Sequence, residues 1–313
     1  MEEKADNLME DKDAFFREAF SRNRGLLSPE DQEKIRCSMV AIAGLGGVGG
    51  NYVISLARLG VGNFSIADPD FFEIANINRQ AGAKIKTLGR KKAEVMEEMI
   101  KEVNPFVNVR SFSSSIDEKN ADEFLEGCNL LLDGIDAFNI ETRRLLFKKA
   151  KEKGIYAITA GPLGFSSAMV VFSPTGMGFD QYFGINDKMD YTQKLIAFLV
   201  GVAPAGIHLR YLKPGNLDIE NERGPSVIST CNLCSALIIT ETVKIIAGKK
   251  KIKSAPHYVQ FDPYENSYKK GYLIGGGKNP WMRIKKWIFY KYFTKLKKTA
   301  KATTLANLIN NNH

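Results

Sequence analysis

Met39-Val40-Ala41-Ile42-Ala43-Gly44-Leu45-Gly46-Gly47-Val48-Gly49-Gly50 decides how this chain is read. Five apolar residues suit a short buried strand, and the periodic segment Val48 to Leu59 suits a helix. The glycines between them suit a tight turn joining the two. Glycine lets backbone N–H groups approach phosphate oxygens, and a helix N-terminus adds positive potential. The turn therefore points to a nucleotide, without saying which. The alternative is a turn that only packs helix on sheet. Gly44, Gly46, Gly47 and Gly49 are the candidate ligand-facing glycines.

The alternation continues outward from this corner. Phe64 to Ala67, Val107 to Phe112, Asn129 to Leu132 and Ile155 to Thr159 read as further strands. Arg90 to Val103 and Ile140 to Lys153 read as helices between them. Apolar strands alternating with amphipathic helices predict an α/β, Rossmann-like fold, with a mostly parallel sheet and helices on both faces. Ala168 to Phe172, Tyr258 to Phe261 and Tyr268 to Ile274 predict a smaller antiparallel C-terminal part. Ser226 to Ala247 reads as a long apolar helix closed by Gly248, Thr175 to Asp190 as a loop, and Gly275 to Gly277 as a linker. Ser28 and Pro29 mark a helix start before the first strand. The expected divisions are a helical arm over 1–36, the α/β domain over 37–277 and a tail over 278–313.

Of the 313 residues, 44% are hydrophobic and 25% charged, which excludes disorder, collagen and coiled coil. Four cysteines are too few for a disulfide scaffold, so a reducing, cytoplasmic setting is expected. The acidic N-terminus lacks the apolar segment of a secretory signal. No stretch of about 18 apolar residues is free of charge. The net charge of +9 belongs to the tail: no acidic residue follows Glu265, while eleven Lys and Arg do. The rest of the chain is net −2 and gives no compositional reason to expect nucleic acid.

Asp68 ends the second strand, 24 residues after Gly44, where an acid bonds ribose hydroxyls in dinucleotide folds. The continuation differs from a dehydrogenase: Asp68-Pro69-Asp70, then Asn76-Ile77-Asn78-Arg79-Gln80, then Lys92-Ala93. Carboxylates, an arginine and a lysine near the sheet's carboxyl edge suit a triphosphate. Arg79 and Lys92 would offset β- and γ-phosphate charge and a carboxylate would hold Mg²⁺. Each has a plainer alternative: Asp70 capping a turn, Arg79 bridging Asp68 or Glu73, Lys92 on a solvated helix face. Asp133 and Asp136 follow the fourth strand, at the edge where ligands bind open α/β sheets.

These motifs, with Phe20-Ser21-Arg22-Asn23-Arg24 upstream and Asp133-x-x-Asp136 downstream, resemble the adenylation domain of the ThiF/MoeB/ubiquitin-activating superfamily over roughly residues 18–250. The resemblance implies ATP-dependent adenylation of a carboxylate, usually the C-terminus of a small ubiquitin-like protein or peptide, with pyrophosphate released. It implies that the glycine turn holds the nucleotide and Asp68 its ribose, that Asn76, Arg79 and Lys92 contact phosphates, and that Asp136 binds Mg²⁺. Asp70 and Gln80 belong to the same binding motif. It further implies a homodimer in which Arg22, or Arg24, reaches the ATP of the other subunit.

The chain departs from that pattern in three places. Many relatives carry two CxxC pairs around a structural zinc; here only Cys231-Asn232-Leu233-Cys234 occurs, so no structural zinc is expected and the pair reads as buried packing. The Thr175–Asp190 segment, where a catalytic cysteine would stand, has none; Cys37 and Cys128 read as buried beside core strands. Asp136-Ala137 stands where the family has Asp-Asn. His208, His257 and His313 carry no assigned role. In the tail, Trp281, Ile284, Trp287, Ile288, Tyr292 and their neighbours alternate with Lys and Arg at helical spacing. That pattern suits an anionic membrane surface, an acidic partner or packing on the chain's own domain; Thr299–His313 is expected to be disordered. Three other readings stay open: a ThiF-fold dehydratase acting on a modified tRNA base, a non-catalytic nucleotide-binding scaffold, and an NAD-dependent oxidoreductase.

Overall fold

A computed structural model describes residues 10–211, 224–248 and 251–294. Eight strands form one sheet in the order β3-β2-β1-β4-β5-β6-β7-β8. They are β1 (Met39–Ala43), β2 (Asn63–Ala67), β3 (Asn108–Phe112), β4 (Leu130–Asp133), β5 (Tyr156–Leu163), β6 (Ser166–Phe172), β7 (His257–Asp262) and β8 (Ser267–Tyr272). The first five pair in parallel and the last three join antiparallel. This is the mostly parallel sheet with an antiparallel C-terminal extension that the alternation predicts.

Side-chain alternation along the strands makes two cores. Val40 and Ile42 of β1 point into one, with Tyr52, Val53 and Leu56 of α3 (Gly49–Leu59), Met96 and Ile100 of α4 (Lys92–Val103), and Ile238 of α9 (Ile228–Ala247). Ala41 and Ala43 point into the other, with Leu146 and Phe147 of α6 (Ile140–Glu152), Phe179 and Phe183 of α7 (Phe179–Phe183), and Ile196 and Phe198 of α8 (Tyr191–Val202). A short α5 (Ala121–Phe124) closes this second layer. Ahead of the sheet lie α1 (Lys12–Ala19) and α2 (Pro29–Cys37), the latter opened by a capping box between Ser28 and Asp31. By length and composition α9 is apolar enough to span a membrane; here it carries Glu241 and Lys244 and lies against β5, β6, α2 and α3.

Several expectations are corrected. The Thr175–Asp190 loop contains α7, and α8 follows it with no periodic signal, because Leu195 to Val202 is almost uniformly apolar and buried on nearly all sides. Gly275 to Gly277 is not a free linker: Gly276 and Gly277 are buried, and a Cβ on Gly277 would lie 2.1 Å from Gly184 Cα. Cys37 is exposed, since the end of α2 leaves the core before β1 begins; Cys128 is buried. Residues 280–294 form a helix that packs on its own domain through Met282, Phe289, Tyr290 and Phe293. The expectation of disorder for Thr299–His313, and His313 itself, lie outside the described residues.

Candidate active site

Strand order reverses between β1 and β4, leaving a crevice at their carboxyl ends. Gly44 turns the chain there with φ +84°. A Cβ on it would stand 2.2 Å from Gly134 O, and one on Gly49 would stand 1.8 Å from Gly44 O. These glycines let α3 close against β1 and β4. Gly46 and Gly47 do something else: a Cβ on Gly46 would meet nothing nearer than the Gln80 amide at 3.6 Å, and both glycines face a cavity of about 710 Å³.

Asp68, Asp70, Asn76, Arg79, Gln80, Lys92 and Asp136 also line this cavity, together with Gly44. Two of the sequence-derived candidates do not. Gly49 is buried behind the turn, where close helix–strand approach requires it. Arg22 sits exposed on the 3-10 turn Ser21–Asn23. That turn is tied by Asn23 Nδ2 to Leu59 O, at the far end of α3. Eleven helical residues separate the two ends of α3, or about 16 Å at 1.5 Å per residue, so Arg22 does not serve its own chain's cavity.

Asp68 is 5% exposed and accepts the N–H of Leu45 at 2.6 Å and that of Asp70 at 2.9 Å. It thereby holds the glycine turn in place. Burial raises its carboxyl above the usual range, opposed by the Lys92 ammonium 4.0 Å away and by those two N–H donors. Lys92 is also buried and donates to Asp70 at 2.9 Å, so the solvated-face alternative fails: the first turn of α4 points its lysine into the site. Arg79 pairs with neither Asp68 nor Glu73 among the described residues; its Nη1 donates to Ala75 O and Asn78 Oδ1. Gln80 Oε1 is buried with no hydrogen-bond partner among the described residues.

On the other wall, Asp133 and Asp136 have separate tasks. Asp133 is buried, pairs with Arg143 Nε at 2.7 Å and accepts the Thr159 hydroxyl at 2.7 Å. Arg143, 2% exposed, lies 4.3 Å over the Phe198 ring and donates to the carbonyls of Ile135 and Asp136. This network fixes the loop that carries Asp136. Asp136 itself is exposed at the cavity; one oxygen accepts Phe138 N–H at 3.0 Å and the other has no hydrogen bond among the described residues. It is the carboxylate left open to a cation.

Sequence reasoning missed part of the lining. Cys231 is buried in the core, as its packing reading expects, and also borders the cavity: its Sγ would be 3.0 Å from a Cβ on Gly47. Burial raises its thiol, with the Ser226 hydroxyl and Arg79 acting against that. Cys234 fits the packing expectation, 3.0 Å from Ser167 Oγ and pushed by burial up to about 12. Among the described residues no three His, Cys, Asp or Glu cluster to hold a metal ion. His208 lines the cavity, bonded to Gln260 and lowered by burial to about 4. Away from the turn the lining becomes apolar, with Phe198, Leu199 and Val200 of α8 facing Phe289 and Phe293 of the 280–294 helix. Only spatial neighbourhood marks those residues; no motif does.

A nucleotide triphosphate fits this donor set. Open glycine amides, two cations and a lone carboxylate lie around one space. Mg²⁺ commonly uses one or two carboxylates and leaves its remaining positions to phosphate and water, so Asp136 suffices as the protein's share.

Comparison with known proteins places the chain in one family. The ThiF family model matches residues 20–273. A tRNA threonylcarbamoyladenosine dehydratase of Haemophilus influenzae is 35% identical over 140 residues, 44% of this chain and 53% of that protein. The probable adenylyltransferase/sulfurtransferase MoeZ of Mycobacterium tuberculosis is 30% identical over 179 residues, 55% of this chain and 45% of its own length. The crystal structure of PaaA superposes with a TM-score of 0.62 over 82% of this chain and 73% of that one, at 18% identity, a likeness of fold. The match spans 53%, 28% and 46% of the length of three of the curated relatives.

Proposed function

We propose that this chain, which belongs to the ThiF family, uses ATP to activate the C-terminal carboxylate of a small ubiquitin-like protein or peptide as its acyl-adenylate, releasing pyrophosphate. The supporting observation is one continuous cavity with two chemistries. Its first half offers the glycine turn, Arg79, Lys92 and Asp136; its second half is apolar and lined by α8 and the 280–294 helix.

The reaction asks little of the protein beyond placement and charge. A carboxylate is already a nucleophile, and it forms a bond to the α-phosphorus while the bond to the bridging oxygen of pyrophosphate breaks. Arg79 and Lys92 offset charge gathering on the leaving phosphates, and the turn's amides hold the triphosphate. Asp68 keeps the turn in shape and offers its remaining lone pairs to the ribose. Mg²⁺ at Asp136 would neutralise phosphate charge. No general base is needed, in keeping with a buried, neutral His208.

A second reading rests on the Haemophilus and Bacillus subtilis relatives, both tRNA threonylcarbamoyladenosine dehydratases at 35% identity. The basic tail would supply phosphate contacts there. The apolar second half favours a peptide: its nearest lysine, Lys285, donates to Pro204 O at 2.7 Å rather than facing the cavity free. ATP–pyrophosphate exchange separates the two. Exchange stimulated by small proteins with a free C-terminal carboxylate, and lost when that terminus is amidated, supports the first reading. Exchange stimulated only by threonylcarbamoyladenosine-bearing tRNA selects the second.

A further inference from the structure

The 280–294 helix uses its two sides differently. One side is committed to the domain: Met282 is 2% exposed, Phe289, Tyr290 and Phe293 pack on the core, and Lys286 Nζ donates to Phe183 O at 2.6 Å. Lys285 adds its bond to Pro204 O. These anchors, roughly a turn apart, hold the helix against the domain. The opposite side carries Trp281 at 73% exposure, Ile284 at 48%, Trp287 at 62% and Ile288 at 52%. Positions 281, 284 and 288 share one helical stripe, and Trp287 borders it. Ile274, 72% exposed, adjoins the helix start, where Asn279 Nδ2 bonds its carbonyl.

A row of tryptophan and isoleucine in water is unfavourable unless something covers it. Charge says what. Exposed Lys278 and Arg283 flank the row and Lys291 ends it, its ammonium over the Trp287 ring; more lysines follow in the sequence, and no acidic residue occurs after Glu265. A basic, acid-free helix with an aromatic and aliphatic outer stripe matches the boundary between headgroups and acyl chains of an anionic leaflet. A polyanion such as RNA would call for cations along the outermost positions, yet here all but Lys291 are apolar, and Lys285 and Lys286 turn inward to carbonyls.

We propose that the outer face of the 280–294 helix docks the protein on anionic phospholipid membranes. Because the inner face of the same helix lines the cavity through Phe289 and Phe293, docking sets the second half of that cavity beside the lipid surface.

The test uses the full chain and flotation with vesicles of phosphatidylcholine alone and of phosphatidylcholine with phosphatidylglycerol. Binding is expected to the mixed vesicles, weakening with salt. The triple variant Trp281→Ser, Trp287→Ser, Ile288→Ser is expected to lose at least about tenfold of it, with an unchanged melting temperature and unchanged pyrophosphate exchange, since none of the three lines the cavity. Four results overturn the proposal: no vesicle binding, equal binding by the variant, a wild-type dimer that the variant splits to monomers without any effect of lipid, or tRNA binding that the variant loses while vesicles go unbound. None of these bears on the exchange assay, so the adenylation reading stands or falls separately.

Discussion

Asp133 and Asp136 are three residues apart and alike in sequence, and the fold gives them opposite tasks. Asp133 is locked to Arg143 and Thr159; Asp136 is left open at the cavity. Replacing Asp136 by Ala is therefore expected to lower pyrophosphate exchange by roughly 10²–10³-fold without changing the melting temperature, and retained exchange would remove the cation role. Replacing Arg143 by Met strands a buried carboxylate and is expected to cost about 3–5 kcal/mol of stability, read by denaturant unfolding. Cys231→Ser should leave exchange intact, because the substrate carboxylate, not a thiol, attacks the α-phosphorus; burial also disfavours the thiolate that a later transfer would need. His208, whose usual value is 6.5 and which burial lowers to about 4, sets a pH dependence. The unfolded chain takes up this proton first as pH falls. The stability His208 contributes is thus complete above pH 6.5 and is lost toward pH 4, by up to about 3 kcal/mol. A His208→Gln variant should show a flatter acid limb over that range. At this scale the motif residues were legible as chemistry but not as tasks: nothing in Asp133-x-x-Asp136 says which carboxylate is taken by Arg143.

Elements were legible where their pattern is periodic. The parallel strands start within one residue of their expected places, most plainly β1, β2 and β4, where a short apolar run ending at Gly or Asp has few other meanings; β5 runs on to Leu163, past its expected end at Thr159. α8 was not, because a helix buried nearly all round has no polar stripe to reveal its period. The apolar half of the cavity stayed hidden for a related reason: α8 and the 280–294 helix meet there from positions some ninety residues apart, and each stretch alone reads as core. The β1–α3 turn carries a prediction at this scale. Gly49→Ala would place a methyl 1.8 Å from a backbone oxygen and is expected to destabilise the fold by several kcal/mol. Gly46→Ala has room, so it should melt normally while weakening nucleotide binding. Equal effects of the two on both measurements would contradict the division between packing and ligand-facing glycines.

At the scale of the whole molecule the site is short of one expected group. Arg22 lies at the opposite end of α3 from its own cavity, so the contact that the family resemblance implies needs a second copy. If two copies complete each other, mixing inactive Arg22→Ala with inactive Asp136→Ala should restore about a quarter of wild-type exchange, since half the dimers are mixed and each holds one intact site. No recovery on mixing would remove the contact of Arg22 with a second copy's site. The central claim is that the β1–β4 crevice grips a triphosphate. A crystal grown with Mg²⁺ and a non-hydrolysable ATP analogue tests it most directly. The account predicts phosphates against the Gly44–Gly47 amides, with Arg79, Lys92 and Asp136 turned toward them. An empty turn in nucleotide-saturated crystals, or a nicotinamide dinucleotide bound in its place, would contradict it.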